Sequence, residues 1–320
     1  MFLTSLLLIA GLIILIKGAD FLVKGATSLA KRFNVSNMVI GLTVVAFGTS
    51  MPELVVSLIA VFNGHGDASF GNIIGSNNFN LLFILGTAGI IYPLVVQKNT
   101  VKYEVPISIF AAIVLYILVN DRLLWQHDNN ILSRTDSIIL LILFAGFMLY
   151  ISKTISHPDD NEQGTKVKIY GTYTTTGMIA FGLVMLVGGG KLVVDNAVSI
   201  ATYFGLSEKL IGLTILAAGT SLPELATSAV AAYRKNADIA IGNVIGSNIF
   251  NILFILGITG LVSPIPYNAI MNFDLHVLLI TTAVLMIFMF TLHHSKLDRW
   301  EAIIFLIGYL VYTIYLIRMD

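Results

Sequence analysis

One stretch of this chain is written twice, 171 residues apart. Residues 41–54 read GLTVVAFGTSMPEL and residues 212–225 read GLTILAAGTSLPEL. Further on, 71–86 reads GNIIGSNNFNLLFILG and 242–257 reads GNVIGSNIFNILFILG. Ten of 14 positions agree in the first block and 13 of 16 in the second, at one constant offset. A chain built this way must form the same local structure twice. Each copy also sets one glutamate, two adjacent hydroxyls, a proline and several asparagines into a stretch that is otherwise apolar.

The solvent follows from composition. Hydrophobic residues make up 57% of the chain and charged residues 11%, with mean hydropathy +0.89, well outside the range of soluble domains. Apolar runs long enough to span a bilayer recur along the whole length and show no period-two alternation, so the expected class is an all-α polytopic membrane protein and not a transmembrane β-barrel. Net charge is zero and no basic block occurs, which leaves no nucleic-acid footprint. The absence of cysteine removes disulfides and thiolate metal sites.

The spans read near 2–30, 38–63, 69–92, 103–119 and 136–152, then 174–200, 209–233, 240–263, 273–292 and 299–317. No positive residue precedes the first run, and Gly11, Gly18, Ala26, Ser28, Ala30 and Phe33 reappear as Gly182, Gly189, Ala197, Ser199, Ala201 and Phe204. The first run is therefore expected to be a span of the fold and not a cleaved signal. This gives ten transmembrane helices in two five-helix repeats, 1–152 and 174–320, joined by the linker 153–173. Lys and Arg number 11 in one set of alternate loops and 4 in the other, which makes the linker cytoplasmic and both termini extracytoplasmic. An odd number of spans separates repeat mates, so the second repeat crosses in the opposite sense. Inverted repeats of this kind are the architecture of alternating-access transporters.

Within the first copy, Thr49 and Glu53 share a helical face and Ser50 lies beside them. Pro52 lacks an N–H and clashes with the preceding turn, so the helix is expected to bend or open near Gly48. Carboxylate, hydroxyls and freed carbonyls form a hard, all-oxygen set that suits Na⁺ or Ca²⁺ over zinc or copper. Thr220, Ser221, Pro223 and Glu224 repeat the arrangement. Asn72, Ser76 and Asn80 recur every four residues along one face, as do Asn243, Ser247 and Asn251. On the same spans Gly71/Gly75 and Gly242/Gly246 allow close helix approach. Glu53 and Glu224 lie near the middle of their spans, where an unpaired charge costs roughly 2.5–3.5 kcal/mol on insertion scales.

Other polar residues have plainer readings. Asn72 and Asn243 serve either as ligands or as bonds between helices. Thr43, Thr214, Ser57 and Ser228 are expected to bond backbone carbonyls. Asp67 and Asp238 read as helix caps. Lys17, Asp20, Lys24, Lys191 and Asp195, toward the ends of spans one and six, read as snorkelling charges, with gating as the other role open to them. Histidines 65, 127, 157, 276, 293 and 294 show no ligand spacing near the motifs.

The paired G-T-S-x-P-E and G-S-N-x-x-N motifs resemble the α-repeats of the cation/Ca²⁺ exchanger superfamily, and Na⁺/Ca²⁺ exchangers above all; the likeness covers nearly the whole chain. The resemblance implies an ion-binding core of spans 2, 3, 7 and 8, with spans 1 and 6 sliding past it. It also implies that Glu53 and Glu224 bind Ca²⁺ and help bind Na⁺. Thr49, Ser50, Thr220, Ser221, Ser76 and Ser247 then add oxygens, Ala46 and Ala217 add backbone carbonyls, and Asn80 and Asn251 take the centre. Family members often carry aspartate at one of these last two positions. Here both are Asn, leaving two carboxylates in the core.

The expected function is antiport of Na⁺ against Ca²⁺, with no enzymatic activity and no cofactor, by a protein of the plasma membrane that works as a monomer in the lipid bilayer. H⁺/Ca²⁺ antiport through the same glutamates is the nearest alternative, and a cation channel is a more distant one. An intramembrane hydrolase is disfavoured, because no H-E-x-x-H occurs and no base neighbours the Ser-Glu motif.

Overall fold

Inside a bilayer every backbone N–H and C=O must be satisfied internally, and helices do this segment by segment. A computed structural model describes residues 2–95, 100–124, 129–153, 169–204, 217–290 and 295–319, and helix dominates all of them. We number the principal helices α1 (Phe2–Phe33), α2 (Asn37–Thr49), α3 (Met51–Phe62), α4 (Ala68–Ile91), α5 (Lys102–Val119), α6 (Arg134–Lys153) and α7 (Thr172–Tyr203). Then follow α8 (Leu222–Tyr233), α9 (Ala237–Val262), α10 (Asn272–Phe288) and α11 (Arg299–Met319).

Among the described residues, eight helices are long and apolar enough to cross a membrane, and α2 with α3, bent by 43°, makes a ninth span. The span expected over 209–233 begins in 205–216, outside the described residues, and its second half is α8. Linker residues 154–168 and His127, His157, His293 and His294 also lie outside them.

The breaks fall where the repeat puts its prolines. Between α2 and α3, Ser50 has φ −84° and ψ 6°; before α8, its mate Ser221 has φ −87° and ψ 9°. Each leaves the α region one residue before a helix with Pro in its first turn, a place where proline is tolerated. The opening expected near Gly48 thus sits two residues later. Among the described residues, three π turns widen the helices close to the motifs, at Gly41–Val45, Asn80–Ile84 and Phe250–Ile255. Such turns concentrate at functional sites. The tight turns after α3 and α8 match as well, with positive φ at Gly64 (78°) and at its mate Lys235 (60°). Asn236 caps α9 through Ile239 N–H at 3.1 Å, so Asp238 lies inside the first turn and the cap expected of it belongs to Asn236. Of the other expected cap, Asp67, only the backbone is described, within the helix that starts at Gly66.

Repeat mates α1 and α7 pack antiparallel at backbone distance. A Cβ at Gly18 would lie 2.9 Å from the Gly182 carbonyl oxygen, and one at Gly189 would lie 3.1 Å from that of Gly11. The antiparallel sense of these mates matches the inversion expected from the odd number of spans between them. Gly242 and Gly246 bring α9 onto α2, where added Cβ atoms would meet the Met38 and Leu42 carbonyls at 3.0 and 2.8 Å. The repeats also interlock. Gly86 and Gly89 of α4 pack on Ala302 of α11, while their mates Gly257 and Gly260 of α9 pack on Ser137 of α6. Strand β1 (Leu94–Val95) pairs with β4 (Lys296–Leu297), and β2 (Ile131–Leu132) with β3 (Ile265–Pro266), both antiparallel and both between repeats.

The solvent pattern is inside-out. Ile9, Ile13, Ile142, Val184 and Leu310 are exposed, whereas Thr49, Ser50, Glu53, Ser221, Glu224, Asn243 and Ser247 are buried. The wettest chemistry of the chain lies where α2, α3, α4, α8 and α9 converge.

Candidate cation-binding site

Each glutamate sits in the first turn of the helix that follows a break, and each is held by the serine at the other repeat's break. Ser50 Oγ donates to Glu224 Oε1 at 2.9 Å, and Ser221 Oγ donates to Glu53 Oε1 at 3.1 Å. Glu53 and Glu224 are 0% and 1% exposed. Among the described residues no basic side chain forms an ion pair with either one; the ion pairs join Asp20 to Lys24 and to Arg234, and Lys296 to Asp298. Removing two carboxylates from water without a counter-charge costs several kcal/mol each.

The scaffold around them follows the same two-fold pattern. Asn72 Nδ2 donates to the Glu53 carbonyl at 3.3 Å and to Ser57 Oγ at 3.0 Å. Asn243 Nδ2 donates to the Glu224 carbonyl at 3.2 Å and to Ser228 Oγ at 2.9 Å. Their side-chain oxygens accept from the other repeat: Thr220 Oγ1 reaches Asn72 at 3.4 Å and Thr49 Oγ1 reaches Asn243 at 3.0 Å. Both amides are therefore engaged between helices, the structural one of their two readings. Thr43 bonds the Val39 carbonyl and Ser228 that of Ala240, as their sequence context suggests, while Ser57 accepts from Asn72. Thr214 lies outside the described residues.

Five site oxygens are buried and without a hydrogen-bond partner: Glu53 Oε2, Glu224 Oε2, Ser76 Oγ, Asn80 Oδ1 and Asn251 Oδ1. Native interiors leave few such atoms. Four of the five can only accept when the glutamates are ionised, and accepting oxygens are what a hard cation takes. Ser247 departs from its mate, since its Oγ bonds Ser50 Oγ at 2.9 Å and Glu224 Oε1 at 3.5 Å. Of the carbonyls expected as ligands, that of Ala46 already accepts from Ser50 N–H at 3.0 Å and lies 3.3 Å from Thr49 Oγ1. Ala217 opens the short helix Ala217–Gly219, at the edge of the described residues.

The structure thus brings site residues of both repeats together in three hydrogen-bonded groups, one around each glutamate and one of asparagines, with Ser76 Oγ in none of them. Individual reading of the residues missed two members, Asn77 and Asn248. Asn80 Nδ2 donates to Asn248 Oδ1 at 3.0 Å, and Asn251 Nδ2 donates to Asn77 Oδ1 at 2.9 Å. Their signal was present in the repeated G-S-N, but they fall off the four-residue stripe that drew attention to their neighbours. Among the described residues no cluster of three His, Cys, Asp or Glu side chains occurs, so the donors are hydroxyl, amide and carbonyl oxygens around two carboxylates.

A polytopic helical protein of repeated spans, with an acceptor-rich buried site between the repeats, has the make-up of a membrane cation transporter. The family model described as sodium/calcium exchanger protein matches residues 3–153 and 174–318. The chain belongs to this sodium/calcium exchanger family. Sodium/calcium exchanger MaX1 of Methanosarcina acetivorans is 30% identical over 346 residues, covering 97% of each chain. Inner membrane protein YrbG of Escherichia coli is 35% identical over 272 residues, covering 82% of this chain and 81% of its own. Among solved structures, the sodium-calcium exchanger NCX_Mj soaked with 2.5 mM Na⁺ and 0.1 mM Ca²⁺ superposes with TM-score 0.81 at 35% identity, covering 97% of both chains. The same exchanger soaked without either ion gives 0.83 at 34% identity, over 98% of this chain and 99% of that one.

Proposed function

We propose that this protein is a secondary active antiporter that exchanges Na⁺ for Ca²⁺ by alternating access. The observation that carries the reading is the set of five unpartnered buried oxygens, four helices contributing, with two carboxylates among them. One Ca²⁺ satisfies both carboxylate oxygens together with the amide and hydroxyl oxygens, within the six to eight oxygen ligands that Ca²⁺ takes. Na⁺ competes for the same atoms. Glu53 and Glu224 supply the charge, and Asn80 and Asn251 the central neutral oxygens. Ser76 and Ser247 with Ser50, Ser221, Thr49 and Thr220 complete the set, along with the Ala46 and Ala217 carbonyls. Because the ligands come from both inverted repeats, a shift of one helix layer against the core opens the site to one side at a time. In this reading the linker faces the cytoplasm, both termini lie outside, the membrane is the plasma membrane, and a single chain carries the complete pathway.

The test is ⁴⁵Ca²⁺ uptake into proteoliposomes loaded with Na⁺ and diluted into choline. Uptake should follow the Na⁺ gradient. Glu53→Gln or Glu224→Gln removes one buried charge at a cost of about 3–5 kcal/mol, on the order of 10²–10⁴ in affinity, and should abolish it. Because each glutamate also has an oxygen free to take a proton, the control is a pH gradient without Na⁺. Uptake driven by that gradient alone would reassign the coupling ion to H⁺ and recast the glutamates as proton carriers.

A further inference from the structure

We infer that Asn77 and Asn248 are positioning residues that force the side-chain oxygens, and not the amino groups, of Asn80 and Asn251 toward the cation. The inference rests on the reading that those two oxygens are ligands, and adds what holds them in place.

All four asparagines are at most 1% exposed. The two halves of a carboxamide have nearly the same shape, so packing alone barely distinguishes oxygen from nitrogen, and the hydrogen-bond network must decide. Here the network is anchored on main chain. Asn77 Nδ2 donates to the Asn248 carbonyl at 3.3 Å, and Asn248 Nδ2 donates to the Asn77 carbonyl at 3.3 Å. A backbone carbonyl cannot flip, so each of these amides must turn its nitrogen inward to the opposite helix. That leaves Asn77 Oδ1 and Asn248 Oδ1 as acceptors, and each receives an amide: Asn251 at 2.9 Å and Asn80 at 3.0 Å. Reversing Asn80 or Asn251 would oppose two acceptors in a buried space and aim N–H groups at a cation. The sense of the whole quartet is therefore set by two carbonyls beside the π turns that open at Asn80 and Phe250.

The bonds run between repeats, which makes the inference specific. Asn77 acts through Asn251, and Asn248 through Asn80. Neither acts through the site asparagine three residues along its own helix.

Double-mutant cycles on Ca²⁺ affinity test this pairing. Equilibrium ⁴⁵Ca²⁺ binding to the purified full-length protein would be measured for Ala at each position and for four doubles. The melting temperature in ion-free buffer serves as the control for fold. Asn77→Ala should weaken Ca²⁺ about five- to tenfold, the scale of one net hydrogen bond, and should have almost no further effect once Asn251→Ala is present. Asn248→Ala should behave the same way with Asn80→Ala. The same-helix doubles, 77 with 80 and 248 with 251, should multiply. If Asn77→Ala fails to fold, Asn77→Ser breaks the same bond and is read in the same cycle. Independent effects in the cross-repeat pairs, or an affinity loss that only tracks melting temperature, would overturn the positioning role. No loss of affinity in Asn80→Ala and Asn251→Ala would instead sink the ligand assignment on which it rests.

Discussion

Ser76 and Ser247 hold the same place in their repeats, and the structure uses them differently. Ser247 Oγ is tied to Ser50 and Glu224, whereas Ser76 Oγ is buried without a partner. In ion-free protein, Ser247→Ala should therefore cost about 1 kcal/mol, while Ser76→Ala, which removes an unsatisfied hydroxyl, should be close to neutral. Denaturant or thermal unfolding in lipid-like detergent checks the order, and equal costs would mean that the two serines are equivalent. Adding Ca²⁺ should reveal the second role of both, because each variant loses an oxygen and gains less stabilisation from the ion than the parent does.

At the scale of elements, α1 and α7 pack at backbone distance, where glycine is a requirement of distance. A Cβ at Gly18 would lie 2.8 Å from Met185 Cβ as well as 2.9 Å from the Gly182 carbonyl, so Gly18→Val must push the helices apart. Overpacking of this kind costs about 1–3 kcal/mol. Gly188, on an exposed face of α7 where an added Cβ would meet nothing within 4 Å, is the control and should accept Ala without loss. Melting temperature and Na⁺-driven uptake of the two variants decide the matter; a tolerated Gly18→Val would show that the contact is looser than the backbone distances require. The C-terminal half of α1 is also held to the turn between α8 and α9. Asp20 accepts from Arg234 Nε at 2.7 Å, and Asn236 Nδ2 donates to Thr27 Oγ1 at 3.2 Å. Asp20 and Lys24 therefore form a bonded cluster with Arg234, beyond the snorkelling read from their positions.

For the whole molecule, the repeats are alike in sequence and inseparable in structure. The third span of each packs on the fifth span of the other, through Gly86 and Gly89 on Ala302 and through Gly257 and Gly260 on Ser137. The two small strand pairs tie the same partners together. The site is also divided, since Glu53 depends on Ser221 and Glu224 on Ser50. Residues 1–153 or 174–320 produced alone should therefore neither fold stably nor bind Ca²⁺, whereas the two halves produced together should reassemble and bind it. Ca²⁺ binding by one half alone would show that a single repeat carries a complete site.

Much of this was legible in the residues themselves. An apolar chain with two inverted copies of one polar motif leaves few folds and one place for the chemistry, because a carboxylate such as Glu53 or Glu224 in mid-membrane is too costly to be incidental. Proline at 52 and 223 announced the breaks, since a missing N–H is a local fact. What tertiary structure alone decided is which residues meet. Ser50, at the break, finds its carboxylate partner in the other repeat. Asn77 and Asn248 matter because two helices cross there and offer each other main-chain carbonyls. Ser76 and Ser247 become unequal although their motifs are the same. Sequence determines solvent preference and local helix geometry through each residue and its near neighbours; the orientation of a buried amide or hydroxyl depends on a donor or acceptor roughly 170 residues away, and only packing brings that partner within about 3 Å.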